Sequence, residues 1–87
     1  MKECLHRLDC YVENRHGVLA RMVGLISGMG YNIQSLDVGP TEDESVSRMK
    51  IDVLATSRAI EQIVRQLRIQ VNVIEVSRRK RRMPWTR

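Results

Sequence analysis

The sequence has 87 residues, enough for one small domain with a thin core, so a homo-oligomer is the default expectation. No apolar run approaches a membrane span, and MKECLHRLDC lacks the apolar stretch of a signal peptide, so a soluble, cytoplasmic protein with no membrane partner is expected. The net charge of +5 points toward nucleic acid or a membrane surface until it is located: Arg78, Arg79, Lys80, Arg81, Arg82 and Arg87 fall in the last ten residues, which hold no acid, and the other nine basic residues face ten acids.

In chain order, the first strand signal spans Leu8 to Glu13, where Leu8, Cys10 and Val12 alternate with Asp9, Tyr11 and Glu13. Cys4 and Cys10 would share a face of one strand without being able to bridge, and their spacing matches no metal site; both are expected reduced, with Cys10 in the core. After the elbow ENRHG, the residues Val18, Leu19, Met22, Val23, Ile26 and Met29 recur at helical spacing, with Gly30 as the expected C-cap. Asn32 to Val38 is a second strand with Leu36 and Val38 turned inward and Asp37 outward, followed by a solvated turn from Pro40 to Glu44. Ser47 to Val53 alternates most cleanly, with Met49, Ile51 and Val53 inward and Arg48, Lys50 and Asp52 outward. Thr56 or Ser57 caps a second helix striped by Ile60, Ile63, Val64 and Leu67, with a Glu61–Arg65 pair on its surface. Val71 to Val76 is the fourth strand, and the tail from Arg78 is expected to hold little order.

This β-α-β-β-α-β order predicts an α+β, ferredoxin-like fold over residues 1–77, a four-stranded antiparallel sheet with two helices on one face, followed by a basic tail over 78–87. Nothing in the spacing supports catalysis. His6 is expected at a strand edge and His16 in an exposed loop, with no nucleophile or carboxylate placed beside either. Glu42, Asp43 and Glu44 diverge in a turn and lack calcium-loop spacing, and no phosphate-binding glycine pattern follows a strand, so no metal or nucleotide site is expected. The common RNA-recognition module shares the element order but stacks bases on strand aromatics. Here SRMKIDV has none and the first strand offers only Tyr11, which leaves the basic tail as the one candidate contact to nucleic acid.

Two runs are more specific than any periodicity: ENRHGVLARMVGL and GYNIQSLDVGPTEDESVSRM. Together they resemble the ACT domain of the regulatory (small) subunit of acetohydroxyacid synthase, also called acetolactate synthase, over roughly residues 8 to 77. The resemblance implies a noncatalytic subunit, not an enzyme, that activates a large catalytic partner. Thiamine diphosphate, magnesium and FAD are expected on that partner and none on this chain. It also implies feedback inhibition by branched-chain amino acids, chiefly valine, bound at the seam of an ACT homodimer. By similarity, Asn14, Gly17, Val18 and Leu19 of one copy would face Asn32 and Ile33 of the other, with Gly39 near the seam. The chemistry suits that role: the first turn of a helix offers unpaired amides and partial positive charge to a carboxylate, and glycine lets a ligand approach the backbone. The asparagine amides offer donors and acceptors, and Val18, Leu19 and Ile33 offer an apolar wall. On the residues alone, Asn14 only caps the turn, Gly17 only permits it and Asn32 only begins a strand. Many family members continue into a second carboxy-terminal domain, whereas this sequence stops after its basic tail. Two further readings stay open: a stand-alone ACT amino-acid sensor serving another enzyme, and an RNA-binding module acting through Arg78 to Arg82.

Overall fold

The computed structural model describes residues 3–81. Its elements are β1 (Cys4–Glu13), α1 (Val18–Gly28), β2 (Ile33–Pro40), β3 (Val46–Ala55), α2 (Ser57–Arg68) and β4 (Val73–Arg81). The strands form one antiparallel sheet in the order β2-β3-β1-β4, so β1 and β3 are central and β2 and β4 are the edges. This is the ferredoxin-like arrangement expected from the sequence, with both helices over one face. No helix among the described residues is long and apolar enough to cross a membrane.

The core lies between the helices and the even-numbered positions of β1. Leu8, Cys10 and Val12 meet Met49, Ile51 and Val53 of β3 and Val76 of β4, beneath Val18, Met22 and Ile26 of α1 and Ile60, Ile63, Val64 and Leu67 of α2. Burying one such aliphatic side chain contributes on the order of 1.5–3 kcal/mol, so this layer holds the sheet and helices together. Thr56 is the N-cap of α2, its Oγ1 accepting a hydrogen bond from the Ala59 amide at 3.1 Å. Gly30, at φ +88°, supplies the left-handed residue just beyond α1.

Several boundaries differ from the expectation, each for a physical reason. β1 begins at Cys4, not Leu8, so His6 sits on a central strand with 4% exposure and is not an edge residue. Arg78 to Arg81 continue β4, because Arg78 and Arg79 pair opposite Leu8 and Arg7 of β1; only residues 82–87 of the expected tail lie outside the described residues. Leu36 and Val38 do lie opposite Ile51 and Met49 on the helix side, yet they remain 45% and 40% exposed on an edge strand that has no neighbour on its outer side. A register shift between Ile33 and Ser35 puts Ile33 opposite Val53, so that Ile33, Leu36 and Val38 share that side despite their odd-even spacing. Glu61 reaches Arg78 of β4 at 3.5 Å, and Glu61–Arg65 is not among the ion pairs of the described residues.

The uncovered face of the sheet is a checkerboard of charge. Asp9 lies opposite Lys50, Tyr11 opposite Arg48, and Arg7 opposite Asp52. Asp52 was expected to point outward and does, but it is only 5% exposed: Arg7 grips it through Nε at 2.9 Å and Nη2 at 3.0 Å, and the Ser35 hydroxyl donates to it at 2.6 Å. That contact raises the Arg7 pKa further above its ordinary value, with the hydrogen bond to Asp52 as the main cause.

Candidate functional site

The elbow between β1 and α1 is held from two sides. The Asn14 amide donates to the Ser45 carbonyl at 2.7 Å and its side-chain Nδ2 donates to the Glu44 carbonyl at 3.1 Å, which ties the elbow to the β2–β3 turn. On the other side, Asn72 accepts from Arg21 Nη1 at 2.6 Å and donates to Glu13 Oε1 at 3.1 Å, and its carbonyl receives the Glu13 amide at 2.8 Å. Gly17 is the N-cap of α1 at φ +84°, a conformation in which a Cβ is strained. With no side chain at that position, no side-chain cap closes the helix, and its first turn carries no acid. The Val18 amide donates to the Arg15 carbonyl at 3.2 Å, whereas the next amides of the turn stay uncapped by any side chain.

The β2–β3 turn is organised rather than merely solvated. The Thr41 hydroxyl lies within hydrogen-bond reach of the Asp43 and Val46 carbonyls at 2.9 and 3.0 Å and accepts from the Asp43 amide at 3.1 Å. Asp43 accepts from the Ser45 amide at 2.9 Å and the Ser45 hydroxyl at 2.7 Å, and these two bonds hold its carboxyl below its ordinary pKa. The PTEDES stretch therefore owes its residue types to a turn that fixes one wall of a groove.

That groove, about 440 Å³ and open to solvent, is lined by Asn14 and Leu19 from the elbow and α1, by Val38, Gly39 and Pro40 from β2, by residues of the β2–β3 turn, and by Val46 and Ser47 at the start of β3. Val18 is only 2% exposed and packs in the core, so its backbone and not its side chain belongs to the elbow. Asn32 and Ile33 are elsewhere. Asn32 lines a depression of about 110 Å³ with Gly30, Tyr31, Gln34 and Leu54, at the beginning of β2, while the elbow groove lies at its end. Seven residue steps along a strand separate the two ends by about 23 Å. One chain thus brings Asn14 and Leu19 together in the groove, keeps Gly17 in the elbow between them but not in the lining, and leaves Asn32 and Ile33 at the far end of its own edge strand. Thr41 and Pro40 of the groove were not singled out by sequence reasoning, although the turn-forming PT dipeptide marked them.

Residues 8–75 match the family model for the AHAS small subunit-like ACT domain. The chain is 46% identical over 72 residues to the acetolactate synthase small subunit of Aquifex aeolicus, covering 83% of this chain and 38% of that protein. It is also 46% identical over 70 residues to the acetolactate synthase isozyme 3 small subunit of Escherichia coli, covering 80% and 43%. The crystal structure of the acetolactate synthase small subunit from Thermotoga maritima superposes with a TM-score of 0.79 at 34% identity, covering 85% of this chain and 46% of that one. The chain therefore spans less than half the length of these relatives. The matched residues include both the elbow and the β2–β3 segment that form the groove, and the chain belongs to the AHAS small subunit-like ACT domain family.

Proposed function

We propose that this chain is a noncatalytic regulatory subunit that pairs with a large acetolactate synthase catalytic subunit. In this reading it confers feedback inhibition by a branched-chain amino acid, valine first, held at a seam between two copies. The layout of β2 carries the proposal: an uncovered edge strand with exposed Leu36 and Val38, the elbow groove at one end and Asn32 and Ile33 at the other.

Two such edges related by a two-fold axis run antiparallel, so the start of one strand lies beside the end of the other. That pairing carries Asn32 and Ile33 of each copy to the elbow of its mate and completes two equivalent sites. Covering Leu36 and Val38, each less than half exposed, adds on the order of 1 kcal/mol apiece to the ladder hydrogen bonds. At each site the uncapped amides of α1 suit the effector's carboxylate, the asparagine amides suit its ammonium, and Leu19 with Ile33 suits a branched side chain. Thiamine diphosphate, magnesium and FAD belong in this reading to the catalytic partner, in a cytoplasmic assembly.

Adding the chain to a large, thiamine-diphosphate-dependent acetolactate synthase subunit should raise the rate of acetolactate formation and make it sensitive to valine. A catalytic rate that stays unchanged with the chain in excess overturns the partner assignment.

A further inference from the structure

Charge is divided unevenly between the two halves of the fold. Residues 57 to 81 carry seven lysines and arginines against two acids, whereas residues 1 to 56 carry six against eight. The basic half is α2 and β4, at the edge of the sheet opposite β2. Between them run two adjoining depressions that share Arg78. One, about 250 Å³, is lined by Glu61, Val64, Arg65, Arg68 and Arg78; the other, about 260 Å³, by His6, Ser57, Arg78 and Arg79.

The groove follows α2 from its first residue, Ser57, to its last, Arg68. Twelve helical residues extend about 18 Å, the span of about five residues of extended chain. Its one carboxylate shows what the arginines accept. Glu61 lies 3.5 Å from Arg78, a loose pair with side chains 60% and 38% exposed, held weakly enough to be exchanged for another acid. Arg65 enters no ion pair among the described residues. Arg68 donates through Nη2 to the Val76 carbonyl at 2.9 Å, which fixes its guanidinium against β4.

We propose that the α2–β4 groove docks an acidic, extended segment of a protein partner. Other anionic partners fit it less well. The lining holds no phenylalanine, tyrosine or tryptophan for bases to stack on. The one aliphatic residue of the lining, Val64, is buried, and the exposed Ile69, Val71 and Ile74 lie outside it, so the groove itself offers no apolar surface to a membrane interface. The groove lies at the β4 edge of the sheet, opposite the β2 edge.

The test uses the full chain and a fluorescein-labelled peptide of alternating glutamate and serine, with a lysine–serine peptide, a uridine oligonucleotide and phosphatidylserine vesicles as comparisons. The acidic peptide should bind in a salt-dependent way, with affinity reduced by about tenfold or more in Arg65→Glu/Arg78→Glu and increased severalfold in Glu61→Gln. Should that double reversal fail to fold, Arg65→Gln/Arg78→Gln carries the same test with a smaller loss. Peptide affinity unchanged in the folded double variants overturns the proposal, as does tighter, groove-dependent binding of the oligonucleotide or the vesicles.

Discussion

Replacing glycines one at a time separates backbone strain from space at the elbow. An alanine Cβ at Gly17, Gly24 or Gly39 would meet nothing within 4 Å, so no variant creates a clash in the single chain. Of these three, only Gly17 has a positive φ, at 84°. Gly17→Ala should therefore cost about 1–2 kcal/mol, the penalty for forcing an L-residue into the left-handed region. Gly24→Ala, inside α1 and exposed, should gain about 0.5–1 kcal/mol through lower unfolded-chain entropy. Gly39→Ala should fall within about 0.5 kcal/mol of the parent. For a domain of this size about 1 kcal/mol moves the melting temperature by about 4–8 °C, so the three variants should order as Gly24→Ala above parent and Gly39→Ala, with Gly17→Ala clearly lowest. Thermal melts at one fixed protein concentration, followed by circular dichroism, read this directly. If Gly17→Ala melts with the parent, the elbow is not held in its left-handed turn by need, and the account of why glycine stands there is wrong.

Leu36→Glu places a charge on the exposed edge of β2 while leaving the core untouched, so it should yield a folded monomer by sedimentation that no longer binds valine; a dimer that persists at the parent's affinity would rule out the β2 edge as the seam. Burial, with a smaller push from Asp9, moves the Cys10 thiol from its ordinary 9.0 up to about 12. The unfolded chain thus gives up this proton near pH 9 while the folded chain keeps it to about pH 12, so the thiol's contribution is intact below pH 9 and declines at up to about 1.4 kcal/mol per pH unit between. Urea titrations from pH 8.5 to 10.5 should show stability falling more steeply for the parent than for Cys10→Ala, and parallel slopes would contradict the assigned burial.

Periodicity located every element of this fold, because β3 and α2 each have one buried side whose residues repeat at the strand or helix spacing: Met49, Ile51 and Val53, then Ile60, Ile63, Val64 and Leu67. It was weakest where burial stops tracking the pattern. β2 alternates as though half-buried, but it is an edge strand with a register shift, so Leu36 and Val38 face the helix side without being covered. Basic composition concealed the last residues of β4, since Arg78 and Arg79 pair with a central strand while their side chains stay in solvent. For the site, the elbow was legible through Asn14 and Gly17, a tether and a left-handed cap that only certain residues can supply. What could not be read from spacing is that Asn14 ties the elbow to Glu44 and Ser45 and so sets Leu19 beside the end of β2, because that approach depends on the assembled sheet.

In the proposed reading the effector site is built by two chains. Titrating isotope-labelled protein with L-valine while recording amide shifts tests it most directly. The amides of Asn14, Gly17 and Leu19 at one end of β2 and of Asn32 and Ile33 at the other should move together, with one affinity, in the dimer and not in the Leu36→Glu monomer. Shifts confined to one end, or none with valine, leucine or isoleucine, would contradict it.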